Sequence, residues 1–183
     1  MTRRARIAVT IAALAGVQLA AIGIYLAVQR SREGSAGFVS DPVARAEQAP
    51  PIAGTRSDGS QVALGWPAPH ARIVHFWGTW CPPCVTELPG LLAFARAMRP
   101  HGVEVVAIAV DDTWKDIAAF FGGAAIPPEV IVETDRAAHQ RLGVSTLPDS
   151  FLVDRSGRVV ERYHGARDWS TAAARDHVRA RLR

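Results

Sequence analysis

The 183-residue chain holds only two cysteines, Cys81 and Cys84. No second C-x2-C exists, and the six histidines, at 70, 75, 101, 139, 164 and 177, are scattered. A structural zinc site takes four ligands and a lone C-x2-C supplies two, so no metal is expected. Cysteines this close also make a poor structural staple, because cross-linking stabilises mainly by closing a long loop. Acids are missing from the first 32 positions, which hold Arg3, Arg4, Arg6, Arg30 and Arg32. Residues 33–183 carry 16 basic and 17 acidic side chains. The net charge of +4 and pI of 9.8 therefore belong to the terminus. A polyanion-binding face has no support, and no nucleic-acid partner is expected. No internal repeat is present.

Charge is absent from residues 7–28, IAVTIAALAGVQLAAIGIYLAV. As a helix these residues span roughly 33 Å, enough to cross the hydrocarbon core of a bilayer. Three arginines precede them, so the positive-inside rule leaves the N-terminus in the cytoplasm and the rest of the chain outside. The rival reading is a cleaved signal peptide ending at Ala13-Leu14-Ala15. Only residues 7–12 separate that site from Arg6, shorter than a usual signal core of about 7–15 residues. The expected organisation is a signal-anchor over 1–29, a linker over 30–51 rich in Gly, Ser, Pro, Ala and charge, and a domain over 52–183. Location in the inner (cytoplasmic) membrane, single pass, with the domain periplasmic or otherwise extracytoplasmic, follows from that reading.

Within the domain, RIVHFWG (72–78) reads as a buried strand leading into the cysteines. A helix follows from Pro83, with Leu88, Leu91, Leu92, Ala95 and Met98 at helical spacing. Pro83 suits its first turn, and Pro89 predicts a kink. VEVVAIAV (103–110) reads as a strand covered on both faces. Residues 113–123 predict a helix ending at glycines, 130–132 a short strand, and 135–143 a short helix closed by Gly143. Residues 150–164 predict a hairpin around Asp154-Arg155-Ser156-Gly157. Ala174, Val178 and Leu182 mark one face of a last helix. The pattern is α/β, a mixed central sheet flanked by helices.

A C-x-x-C between a strand and a helix puts its first sulfur at the helix N-terminus, where orphan N–H groups and the helix dipole favour a thiolate. The second sulfur lies one turn inside, close enough to resolve a mixed disulfide. A redox pair explains this spacing best. The motifs FWGTWCPPC, ELP and GVSTLPDSFLVDRSGRV resemble the thioredoxin superfamily, and most closely its TlpA/ResA-like (DsbE-type) branch of membrane-anchored thiol–disulfide oxidoreductases. The resemblance covers roughly residues 50–183. It implies a thioredoxin fold behind one N-terminal transmembrane helix, with a redox-active Cys81–Cys84 disulfide and no other cofactor. Cys81 would be the exposed attacking thiolate beside Trp80, and Cys84 the buried resolving thiol. Pro82 and Pro83 would stiffen the loop between them. Pro148 would be a cis-proline lying against the cysteines, with Leu147 pairing to a substrate backbone. Glu87 would tune the thiols, whereas the bland alternative is a surface acid near a helix N-terminus. His75 stands where relatives carry Asp or Asn. It is either a proton relay for Cys84 or, by default, a core histidine satisfied by a hydrogen bond. Trp66, Trp77, Trp114 and Trp169 read as packing residues, and Asp111 and Asp112 as solvated.

The function expected is reduction of disulfides in client proteins, such as apocytochrome c during cytochrome c maturation. A transmembrane thiol reductant would supply the electrons. The alternatives are a thiol reductase for an oxidase copper site, or a membrane-tethered Cu(I)-handling protein. Two thiolates suit that soft ion, but Met1 and Met98 are the only methionines to assist them. A peroxide reductase on a related fold would use a cysteine in a setting other than W-C-x-x-C.

Overall fold

Two apolar runs of the domain, RIVHFWG and VEVVAIAV, become the central strands of a seven-stranded sheet. In the computed structural model the described residues are 18, 22–23, 38–41, 47–134 and 136–182. The chain separates into residues 1–37 and the domain 38–183. The membrane segment expected at 7–28 lies almost wholly outside the described residues, among which no helix is long and apolar enough to cross a membrane. The domain runs β1 (Ile52–Thr55), β2 (Gln61–Leu64), β3 (Ala71–Trp77), α1 (Pro82–Met98), a 3-10 turn (Arg99–His101), β4 (Val103–Ala109), α2 (Trp114–Phe121), β5 (Val130–Glu133), α3 (Ala137–Arg141), β6 (Asp149–Val153), β7 (Val159–His164) and α4 (Ala172–Arg181).

The strand order is β2-β1-β5-β4-β3-β6-β7. β3, β4 and β5 are parallel, and the strands outside them pair antiparallel. This is a thioredoxin-like α/β fold with a mixed sheet. Side chains alternate across a strand, so odd-numbered residues of β3 face one way and even-numbered ones the other. Ile73 and Trp77 join Cys84, Leu88, Leu91, Met98, Ile117 and Val178 in the core under α1, α2 and α4. Val74 and Phe76 join Ile108, Ile131, Ala138 and Leu142 on the opposite face, under α3. Both faces are covered, which is why β3 is buried at every position.

The helix ends follow local chemistry. α1 starts one residue earlier than expected, with Pro82 and Pro83 as its first two positions, where a missing N–H costs nothing. It continues through Pro89 as one helix. Thr113 and Asp116 form a reciprocal capping box on α2, which stops at Gly122 in the left-handed conformation.

Two expectations need correction. Residues 52–64 form the β1–β2 hairpin, where no element was anticipated. Part of the expected linker 30–51 belongs to the domain. Asp41 bridges to Arg162 and Gln48 to Arg158, Ala49 is buried, and Phe38 packs on Tyr163 and Trp169. Mixed polar composition hid this, because the segment buries only a few side chains and is held mainly by its backbone.

Candidate active site

β3 ends at Trp77, and four residues carry the chain to the first turn of α1. Gly78 makes room there for a neighbouring ring. A Cβ on it would lie 2.8 Å from the Trp80 ring, which folds back so that its Nε1 donates to the Val110 carbonyl at 3.0 Å. Thr79 is held from the same loop. Its N–H and its hydroxyl both donate to the Asp112 carboxylate, at 2.8 and 2.6 Å. Asp112 is therefore not the solvated residue expected from the sequence but is 9% exposed. Its partner is 33 residues away in sequence, a contact that local pattern does not report.

Cys81 occupies the N-cap of α1, and its N–H donates to Gly78. Its sulfur is bonded to Cys84, with a Cα–Cα separation of 5.3 Å. In this oxidised state Cys81 is 5% exposed and Cys84 is fully buried. The exposure expected of Cys81 belongs instead to its neighbour Trp80, at 58%. The first turn of a helix normally offers four free N–H groups. Here Pro82 and Pro83 have none and the Cys81 donor is used. The Cys84 N–H is the first-turn donor left for a Cys81 thiolate.

The Leu147–Pro148 bond is cis. Asp149 pairs with Phe76 across β3 and β6, so Pro148 sits beside the end of β3 from which the cysteine turn departs. Arg162 holds this corner. It donates to both carboxylate oxygens of the fully buried Asp149 and to the Gly143 carbonyl. Leu147 is half-buried against the core on both sides of the sheet.

Glu87 lies one turn beyond Cys84 and is 6% exposed, not a surface acid. Burial pushes its carboxyl up to about 7. The Trp169 indole and the nearby Arg167, through its backbone N–H and its charge, pull the other way. Trp169 Nε1 donates to Oε1, and Oε2 has no hydrogen-bond partner among the described residues. A cavity of about 680 Å³, lined by Pro83, Glu87, Gly90, Arg167 and Trp169, opens over this acid. Trp169 is thus more than the packing residue the sequence suggested. Its partner is 82 residues distant, and no sequence signal links the two.

His75 is fully buried, with Nδ1 and the Ser150 hydroxyl 2.8 Å apart and Nε2 unpartnered. Burial drives its pKa down to about 3. The ring therefore stays neutral across physiological pH. His70 and His75 stand five residues apart in sequence, a spacing found in zinc sites. Among the described residues, however, no three His, Cys, Asp or Glu side chains are grouped to hold a metal.

Residues 46–162 match the AhpC/TSA family. The chain belongs to that family. Thiol-disulfide oxidoreductase ResA of Bacillus thuringiensis (strain Al Hakam) is 30% identical over 119 residues, 65% of this chain and 69% of the relative. ResA of Bacillus subtilis (strain 168) is 28% identical over 121 residues, 66% and 68% of the two chains. Among solved structures, one from Chlorobium tepidum named as a thiol:disulfide interchange protein DsbE superposes with a TM-score of 0.64 at 27% identity. It covers 78% of this chain and all of that one. The chain is a thiol–disulfide oxidoreductase of the ResA/DsbE type, an enzyme whose substrates are protein thiols or disulfides.

Proposed function

We propose that this enzyme works as a reductant of client disulfides outside the cytoplasm, held at the inner membrane by its N-terminal apolar segment. The observation that carries the direction is the pair of prolines at the start of α1. They remove two donors that would otherwise stabilise a Cys81 thiolate. A less stabilised dithiol state makes the pair give up electrons more readily, the opposite of the strong oxidants, whose reduced forms are stabilised.

In the reaction, the Cys81 thiolate attacks one sulfur of the client disulfide. A Cys81–client bond forms, and the client's other sulfur leaves as a thiolate and takes a proton. Glu87 accepts the Cys84 proton. The Cys84 thiolate then attacks Cys81, the mixed disulfide breaks, and the client leaves as a dithiol. Two electrons pass to the client, and the Cys81–Cys84 disulfide remains. Cis-Pro148 and Leu147 would hold an extended client segment, with Trp80 covering it. No cofactor beyond the disulfide is needed. A transmembrane thiol reductant would return the electrons, since cytosolic reductants do not reach this compartment. Clients with paired haem-binding cysteines, as in apocytochrome c during its maturation, or copper-site proteins fit such a reductant. The Cu(I)-handling alternative finds little support, because Met98 is buried in the core.

Equilibration of the full chain with thiol redox buffers tests the direction. A reduction potential near or below about −250 mV is expected, and a value above about −180 mV would make the enzyme an oxidant or isomerase. Insulin reduction lost in both Cys81→Ser and Cys84→Ser separates turnover from copper storage.

A further inference from the structure

Glu87 has no charged partner on its own helix. Everything that holds it comes from residues 167–169, in the loop between β7 and α4, and that loop is itself held from the N-terminal side of the domain. The Phe38 ring stands edge-on to the Trp169 indole at 4.8 Å, and also packs on Tyr163 and His177 at 5.2 and 5.5 Å. Arg167 donates from Nε to the Val39 carbonyl at 3.1 Å and from Nη2 to the Asp41 carboxylate at 3.4 Å. Asp41 is fixed in turn, by its N–H to the Arg162 carbonyl and by its carboxylate to the His164 N–H. Three of the four residues 38–41 thus grip both of the residues that contact the buried acid.

We propose that residues 38–41 form a strap that positions Trp169 and Arg167 over Glu87, so that Phe38 and Asp41 are positioning residues for the acid of the redox site. The proposal rests on the redox role assigned to Glu87 above. Phe38 packs on the Trp169 indole and keeps that ring over one side of the carboxyl, whose other side faces the cavity. Asp41 pairs with the Arg167 guanidinium, limiting how strongly that charge favours an ionised Glu87. Both effects favour the neutral acid. The other titratable groups around this core are Tyr163 on β7, His177 on α4, His75 on β3, Asp168 in the loop and the cysteines once reduced. Asp168 is occupied by the Ser170 N–H and hydroxyl. His75 is held neutral by burial, and burial also raises the Tyr163 phenol and lowers His177. Arg167 is left as the cation whose placement matters to Glu87.

The test is the rate of alkylation of Cys81 by iodoacetamide in the reduced full-length protein, followed from pH 5 to 10. The wild type should show an inflection that Glu87→Gln removes. Phe38→Ala and Asp41→Asn should each move that inflection down by half a pH unit or more, and Phe38→Leu should largely keep it. In the Glu87→Gln background Phe38→Ala should change nothing further. Inflections unmoved in both strap variants would overturn the proposal. So would a Phe38→Ala effect that persists without Glu87, which marks a purely structural role. Asp41→Asn, at the surface, decides the matter if Phe38→Ala does not fold. Superimposable wild-type and Glu87→Gln profiles would overturn the underlying role of Glu87, a result distinct from an unmoved inflection.

Discussion

Replacing Glu87 by glutamine removes the ionisation and keeps the shape. The glutamine carbonyl can still accept from Trp169 Nε1, and the volume is nearly unchanged. Burial raises the Glu87 carboxyl from 4.5 to about 7. The folded protein therefore holds this proton more tightly than the unfolded chain does. Between about pH 4.5 and 7 the native state carries the extra proton, and each rise in pH through that window costs stability. At about 1.4 kcal/mol per pH unit the window is worth about 3 kcal/mol. Relative to wild type, Glu87→Gln should gain about 3 kcal/mol between pH 4.5 and 8, with the rise finished near pH 7. Its added NH2 group brings a penalty that does not vary with pH, so the slope decides and the offset does not. Guanidinium denaturation of both oxidised full-length proteins, followed by tryptophan fluorescence at several pH values, gives the difference directly. A stability difference that stays flat from pH 4.5 to 8 would refute the reasoning. Glu87 would then have the same proton affinity in the folded and unfolded chains.

Three further outcomes follow from the geometry. Cys84→Ser should accumulate a Cys81–client mixed disulfide, visible on non-reducing gels, whereas Cys81→Ser should trap nothing. Gly78→Ala places a Cβ within 2.8 Å of the Trp80 ring. It should swing the indole off Val110, red-shift its emission and cost about 1 kcal/mol, the worth of the lost hydrogen bond; unchanged emission would contradict this. Leu91→Ala, at a fully buried position of α1, should cost about 2–5 kcal/mol in denaturant unfolding with the cysteines still able to form their disulfide.

The elements legible in the sequence were those that state their burial locally. β3 and β4 are unbroken apolar runs, α1 repeats its leucines at helical spacing, and the β6–β7 turn announces itself with Asp154 and Gly157. The β1–β2 hairpin was missed because IAGT and QVAL are four residues each and carry weak alternation. The turn between them, with Asp58 and Gly59, held the one usable signal. In the site, the cysteines, the cis-proline position and Glu87 sit in short motifs. Trp169, Asp112, Arg162 and Phe38 act through partners many residues away, and periodicity carries no information about such pairs. The linker was misread for a related reason. Residues 38–41 look like a tether in composition and behave as part of the domain because Arg162, Arg167 and Trp169 meet them.

The segments at 38–41 and 47–50 also change what the sheet can join. β7 is an edge strand, and the outward backbone groups of an edge are a template for any passing extended chain. Here that rim is already taken at both ends of the strand. The carbonyls of Gly157 and Arg162 accept from Ala49 and Asp41, and the N–H groups of Val159 and His164 donate to Glu47 and the Asp41 side chain. Both ends of the edge nearest the redox loop are thereby taken, so an oxidoreductase whose substrates are other proteins does not offer them those ends for strand addition.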